Sequence, residues 1–332
     1  MYSFYLNDNN YSVHDQWEEL TPDEFLSLVK LFLSYNEGRI SISDLRILFT
    51  LSLLDIKGNV RIKKDKQDRF YENIYLLSQQ VNFYLMIRYK NEKAFNNLSE
   101  GTRIKLHKWL PEDLEQTPEI RAASKLEKFF IIDAVFGKNI LTCLNIGKKS
   151  YSGYLFYIVG GVAQTSLTAM QYSEAQNLVA KYYRSPDPEL LNLICAILYQ
   201  VCYNEQKVRD LARIFADLSE LQKQAVLVNF CAISSFIIKK TKYSILFDRP
   251  KQTATVKKHT DFYLGLAENI YQLSKRGYGN TELMENANLF KFFDIMIKEM
   301  ADTACELKHS GKKPGEIAEI MNLSIEQLNK LL

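Results

Sequence analysis

The chain has 332 residues, of which 47% are hydrophobic and 24% are charged, with only 13 glycines and 7 prolines. This composition excludes an intrinsically disordered chain and is typical of an ordered, helix-rich protein that is long enough for more than one compact core. The formal net charge is +3, so the field of the whole molecule gives no reason to expect nucleic acid or an anionic membrane as the main partner.

The N-terminal region predicts two antiparallel helices. In the stretch TPDEFLSLVKLFL, Thr21 is a helix cap, Pro22 suits the first helical position and Glu24 completes a capping box. A second helix is expected from residue 41 or 43 to residue 56, after a turn that contains Gly38. The residues before the first helix lack the basic and apolar segments of a signal peptide, so we expect a cytoplasmic protein.

The next part of the chain predicts an irregular connection between two helical regions. Residues 57–69 are strongly basic and are expected to form a solvated connection. A helix is predicted over residues 70–87, and the alternation of apolar and polar residues over 103–109 predicts a short strand, which would be a minor β element. Helical periodicity resumes over residues 119–136, and we expect the N-terminal region with its connector to end at residue 117.

An uncharged stretch lies in the middle of the sequence. Residues 153–170 carry no charge over about the length of a membrane span, but Gln164 and the pair Gly160-Gly161 favour a buried helix over membrane insertion. A helix that is apolar on nearly every side, as over residues 190–203, is predicted to be central to the core. The other helices predicted in this region cover residues 173–183, 211–218 and 221–238.

The last part of the sequence predicts a basic loop followed by helices. Residues 241–260 contain Pro250 and several basic residues, and we expect a mobile loop there. Helices are predicted over residues 261–274 and from residue 281 or 288 to about residue 308.

The expected fold class is all-α, an irregular helical bundle or superhelical stack with the minor β element near residues 103–109. The predicted organisation has four regions, which are an N-terminal helical region at 1–117, an apolar helical core at 118–240, the basic loop at 241–260 and C-terminal helices at 261–332.

No arrangement of residues in the sequence predicts a catalytic or metal centre. The four histidines are scattered singly, and the paired glycines lack the spacing of a phosphate-binding loop. The sequence therefore indicates no catalytic residue, cofactor, metal or small-molecule ligand, although an active site assembled from distant residues stays open. The five cysteines have no CxxC spacing and are interpreted as reduced core residues; they are Cys143, Cys195, Cys202, Cys231 and Cys305.

The last twenty residues, KPGEIAEIMNLSIEQLNKLL, resemble a helix-turn-helix of the response-regulator and sigma-factor type. A DNA reader needs donors for base edges and cations for phosphates on its second helix. Here the outward positions include the anionic Glu326, and Lys330 is the single cation of the second helix. We interpret the motif as a small packing or docking unit, with DNA binding as the alternative.

Three groups of segments carry a family resemblance. They are QWEELTPDEFL at 16–26, DPELLNLICAILY at 187–199 with QAVLVNF at 224–230, and LGLAENI at 264–270 with NANLF at 286–290. Together they resemble proteins encoded in the tail-gene regions of phages and prophages of Bacteroidetes. The resemblance implies an all-helical virion or assembly-associated protein that acts by protein contacts, and it supplies no catalytic residues.

Two hypotheses of function remain open. The leading one is a non-enzymatic scaffold, adaptor or assembly protein that contacts a protein partner or copies of itself, with candidate contacts at Trp17, Phe25, Tyr243, Phe247 and Leu328. The alternative is a nucleic-acid-binding protein that uses the basic segments and the terminal motif. Its candidate contacts are Lys63, Lys64, Arg249, Lys257, Lys258 and Lys330.

Overall fold

A computed structural model of the chain describes residues 2–6, 9–54, 67–247 and 266–332, with side chains from residue 12 onward except that of Gln67. The described chain is mostly helical, with a few short antiparallel strand pairs. Contacts divide it into two compact units, Met1–Val135 and Phe136–Leu332. The division therefore falls later than the boundary that we expected after residue 117.

The first unit combines helices with two antiparallel strand pairs. Strand β1 pairs with β2, and β3 pairs with β4 so that Leu85 lies opposite Ile132. Its elements in chain order are β1 Tyr2–Leu6, β2 Asn9–Val13, α1 Pro22–Asn36, α2 Ile42–Leu53, α3 Gln67–Gln80, β3 Leu85–Tyr89, α4 Glu92–Asn96, α5 Glu100–Lys108, α6 Pro118–Ser124 and β4 Lys128–Ile132.

The two helices predicted near the N-terminus are confirmed. The Thr21 hydroxyl accepts a hydrogen bond from the backbone N–H of Glu24, and the Glu24 carboxylate accepts one from the backbone N–H of Thr21. Ser41 and Asp44 form the same arrangement at the start of α2. Phe25 and the other apolar residues at helical spacing are buried. Both the start of this helix and its buried face therefore agree with the prediction from the sequence.

Three predictions for the first unit are wrong. The strand expected over 103–109 is helix α5, because the Ser99 hydroxyl caps it and only one apolar face, at Leu106, is buried. The helix predicted over 70–87 ends at Gln80 and the chain continues as β3. The helix predicted over 119–136 likewise ends at Ser124 and the chain continues as β4. Pairing of β3 with β4 buries Ile87 and Tyr89 against α4 and α5, a long-range contact that helical periodicity does not encode.

The second unit begins with two hairpins and continues as helices. Strand β5 pairs with β6, and β7 pairs with β8. Its elements are β5 Cys143–Ile146, β6 Lys149–Ser152, β7 Phe156–Val159, β8 Val162–Thr165, α7 Ala169–Arg184, α8 Pro188–Leu198, α9 Glu205–Phe215, α10 Glu220–Lys240, α11 Leu266–Lys275, α12 Thr281–Glu285, α13 Leu289–His309, α14 Pro314–Ile320 and α15 Ile325–Leu331.

The core of the second unit lies around α8 and α10. Helix α8 is buried on several sides, as its apolar sequence predicts, although it ends at Leu198 rather than Tyr203. Helix α10 is the one described helix long and apolar enough to cross a membrane. More than half of its apolar segment is buried inside the protein, and Phe230 and Ile233 are fully buried. Such burial is what a central core helix requires.

The cysteines do not all lie in the core. Cys195 is buried, Cys231 and Cys305 are half-buried, and all five thiols are free. The expectation of burial is wrong for Cys143 and Cys202, which are exposed.

Candidate functional site

The uncharged stretch 153–170 contains a β-hairpin and the start of α7, not the buried helix that we predicted. Strands β7 and β8 pair antiparallel, with Val159 opposite Val162. The two residues between them, Gly160 and Gly161, have φ values of 56° and 79°. Two successive positive φ angles define the tight turn that matches the twist of a hairpin, and glycine adopts them without steric cost. We call residues 155–165 the hairpin site.

The hairpin site exposes an unusual amount of apolar side chain. Val159 is 56% exposed, Val162 is 63% exposed and Leu155 is 52% exposed. Tyr157 and Ile158 are exposed as well. Together these five side chains expose roughly 500 Å², which is the size of the largest apolar patch on a typical monomer and is often functional.

The two faces of the hairpin site differ. Because successive strand residues point to opposite faces, Tyr157, Val159 and Val162 share the outer face with Gln164. The Tyr157 hydroxyl donates a hydrogen bond to Gln164 Oε1 across the strands at 3.1 Å. The outer face is therefore apolar near the turn and polar only at its far end.

The opposite face joins the hairpin to the core through Phe156. Its ring is buried and packs edge-on against Phe236 of α10, with centroids 5.9 Å apart, and Phe290 of α13, at 6.3 Å. Edge-to-face pairs of this kind add about 0.5–1.5 kcal/mol each beyond the area that they bury. The base of the hairpin is thus held by two helices.

Two buried asparagines hold the same strand by its backbone. The Asn139 backbone N–H donates to Phe156 O at 2.9 Å, and Asn139 Nδ2 donates to Tyr154 O at 2.7 Å. Asn229 of α10 donates from Nδ2 to Asn139 Oδ1 at 2.7 Å. Buried amides that satisfy each other in this way fix a single geometry.

Strand β8 has a matching attachment. Asn288, which caps α13, donates from Nδ2 to Thr165 O at 2.6 Å. The Leu155 backbone N–H donates to Ser166 Oγ at 2.8 Å. The hairpin site is therefore an anchored projection with an apolar outer surface, and such a surface is suited to binding another apolar protein surface.

The protein contacts predicted from the sequence lie elsewhere, and their expected exposure is wrong. Trp17 and Phe25 are buried together, and Trp17 Nε1 donates to Asp133 O at 2.8 Å. Tyr243 lies in a short 3-10 turn, not in a loop, and its buried ring stacks on Phe290 with centroids 4.9 Å apart.

The other two predicted contacts also pack inward. Phe247 is half-buried against Phe293, with ring centroids 5.6 Å apart. Leu328 is fully buried. Each of these apolar residues packs within its own unit, whether it was predicted on a helix, as Phe25 and Leu328 were, or in the basic loop, as Tyr243 and Phe247 were.

The terminal motif forms two helices, α14 and α15, joined by a turn in which Asn322 has a φ of 52°. Leu328 and Ile317 pack with Ala304 of α13 in a small core. On the outside, Lys330 Nζ lies 2.9 Å from Glu326 Oε1, and this lysine lowers the pKa of the Glu326 carboxyl. The cation that would meet a phosphate thus lies beside a carboxylate that would repel the phosphate.

The remaining candidates for nucleic-acid contact lie outside the described residues. They are Lys63, Lys64, Arg249, Lys257 and Lys258, in the two basic segments.

One carboxyl group of the second unit has a strongly shifted pKa. Burial, with smaller contributions from Glu205 and Glu285, raises the pKa of Glu174 on α7 to about 7. The Tyr203 hydroxyl donates a hydrogen bond to this carboxyl. A shifted acid alone does not make an active site, and the described residues contain no group of three or more histidine, cysteine or acidic side chains that could hold a metal ion.

A local signal for the hairpin site was present in the sequence. Two adjacent glycines are flanked by FYIV and VAQT, and a glycine pair between runs rich in β-branched and aromatic residues indicates a two-residue hairpin. Residues 153–170 carry no charge, which also fits a buried helix, and that interpretation is wrong. No pattern in the sequence indicates that the apolar residues beside the turn are exposed.

No family model, curated protein or solved structure matches the chain.

Proposed function

We propose that this chain is a non-enzymatic scaffold, adaptor or assembly protein that acts through protein–protein contacts, with the hairpin site as its contact surface. Its helices, an irregular bundle or superhelical stack, serve as the support for that surface. The resemblance of its helical segments to phage tail-gene proteins supports a location in the cytoplasm or in a phage-derived particle.

The observation that carries the proposal is an anchored hairpin with an exposed apolar outer face. Without Ile158, which lies on the opposite face, the exposed apolar side chains offer roughly 400 Å², and covering them yields on the order of 10 kcal/mol before association costs, which are of similar size. A hairpin held by Asn139, Asn229 and Phe156 loses little additional freedom on binding. Preorganisation of this kind favours association.

The alternative, nucleic-acid binding, receives less support from the terminal motif. Phosphate contacts need free cations and weaken steeply with salt. Lys330 is paired with Glu326, and the outward residues Ile320 and Ile325 beside the turn are apolar. The terminal pair of helices is better suited to packing than to DNA.

Site-specific photo-crosslinking tests the proposal. A photoreactive phenylalanine derivative replaces Tyr157 of the outer face in one variant and, as a matched control, the exposed Tyr183 of α7 in another. We expect the purified protein, alone or mixed with extract of its own cells, to form a defined protein cross-link from position 157 and none from position 183. Absence of any protein cross-link from position 157 would refute the proposal.

Light scattering with mixed DNA and RNA fragments tests the alternative. We expect no mass increase at low or moderate salt from the nucleic acid. A salt-sensitive increase that persists after Val159→Lys would instead establish a nucleic-acid-binding protein whose surface is not the hairpin site.

A further inference from the structure

We propose that the partner of the hairpin site is a second copy of this chain, which pairs with it through the outer edge of β7 about a two-fold axis at Ile158. The inference rests on the proposed function, because it names the partner of the same surface. Two properties of the edge support it: its backbone hydrogen-bonding groups and its lack of charge.

The backbone of β7 offers a self-complementary edge. In a hairpin with a two-residue turn, the pair next to the turn is hydrogen-bonded, and hydrogen-bonded and non-bonded pairs then alternate. Val159 and Val162 are that first pair, so the N–H and C=O of Ile158 and of Ala163 point away from the hairpin. No backbone hydrogen bond joins Ile158 or Ala163 to another part of the described chain.

A two-fold axis at Ile158 satisfies both of its outward groups. The N–H of Ile158 donates to the C=O of Ile158 in the second copy, and the reverse bond forms at the same time. Tyr157 then lies opposite Val159 of the second copy on the outer face, an aromatic and β-branched pair of the kind that stabilises antiparallel strands. The edge stops at Phe156, whose C=O is already bonded to Asn139.

Charge and sequence favour β7 over β8 as the paired edge. Residues 153–170 carry no charge, so identical segments meet without the repulsion that like charges cause. Strand β7 presents Tyr157, Ile158 and Val159, whereas β8 presents Ala163 and Gln164. Only the β7 edge has a continuous apolar set of side chains.

The short edge predicts reversible association. Edge-to-edge pairing joins the two hairpins into one sheet and leaves most of the outer face uncovered, so the buried area falls below about 1,000 Å², the range of weak contacts. The expected product is therefore a weak, concentration-dependent dimer, not a permanent one.

Sedimentation velocity on the full chain, from about 1 to 200 μM, tests the pairing with two matched proline variants. Ile158→Pro and Ala163→Pro each replace an outward N–H, so neither removes a hydrogen bond of the hairpin itself. A dimer contains residue 158 twice at its axis, so Ile158→Pro deletes two reciprocal bonds and should weaken dimerisation about tenfold or more. Ala163→Pro should leave the dissociation constant within about twofold of wild type.

A measurement on the unaltered chain covers the case in which a proline variant fails to fold. Amide hydrogen exchange at Ile158 should slow about tenfold between low and high protein concentration, while exchange at Ala163 stays constant. Equal slowing at both residues, or no slowing, would overturn the pairing.

Three sedimentation outcomes would also overturn it. They are a wild-type chain that remains monomeric, a dimer that survives Ile158→Pro, and equal loss of the dimer in both proline variants. A monomer that floats with phosphatidylcholine vesicles would assign the hairpin to a lipid surface instead. A monomer that still cross-links from position 157 to a different protein would refute self-pairing and leave the proposed function intact.

Discussion

Replacing Glu174 with Gln should stabilise the second unit at alkaline pH and have little effect at pH 5. The folded protein raises the pKa of this carboxyl from 4.5 to about 7, so the folded state binds a proton more tightly than the unfolded state does. The stability that this tighter proton binding contributes is fully present below pH 4.5 and is lost as the pH rises through about 7. Glutamine keeps an acceptor for the Tyr203 hydroxyl and has no charge to bury.

The size of the effect follows from the shift. A pKa change from 4.5 to about 7 corresponds to a difference of about 3 kcal/mol in the free energy of unfolding. Because part of the carboxyl is in contact with water, which screens its charge, we expect about 1–2 kcal/mol. Urea unfolding at pH 5, 6, 7 and 8 should show Glu174→Gln and wild type together at pH 5 and separated by that amount at pH 8. Glu189→Gln, at an exposed position of α8, is the control. An equal gain at pH 5 and pH 8 would refute the reasoning.

Three other substitutions test the packing beneath the hairpin site. Tyr154→Phe should be neutral or stabilise by up to about 1 kcal/mol, because its buried hydroxyl has no hydrogen-bond partner among the described residues. Tyr199→Phe should cost about 1–2 kcal/mol, because the Tyr199 hydroxyl donates to Leu141 O at 2.7 Å. Urea unfolding measures both variants, and a lower unfolding free energy for Tyr154→Phe than for Tyr199→Phe would contradict this. Gly153→Ala should cost about 1–3 kcal/mol in thermal unfolding, since its Cβ would lie 2.9 Å from Tyr199 Cε1. A wild-type melting temperature would show that the Tyr199 ring moves freely.

The helices that the sequence predicts well are those with local start signals. Ser219 with Gln222 and Ser324 with Gln327 form capping boxes within a few residues of each other, so no knowledge of the rest of the chain is needed to find them. The same holds for Asp187 and Pro188 at the start of α8.

The features that escaped prediction depend on residues far apart in sequence. Tyr243 is buried because Phe290 stacks on it from α13, and β3 exists because β4 lies beside it. The hairpin site has one local feature and one that depends on distant residues. The Gly160-Gly161 pair predicts its turn, but packing of other elements decides that Phe156 is buried and Val159 is exposed. Burial is a property of the folded chain, so apolar residues can be found in the sequence, but their exposure cannot.

The attachment of the hairpin site has a consequence for evolution. Asn139 and Asn288 hold backbone carbonyl groups of the strands, and they make no use of the outward side chains. Mutations at positions 157, 159 and 162 can therefore accumulate without weakening the anchor. Lineages of such a protein could change their binding preference by drift at three surface positions while the supporting helices stay the same.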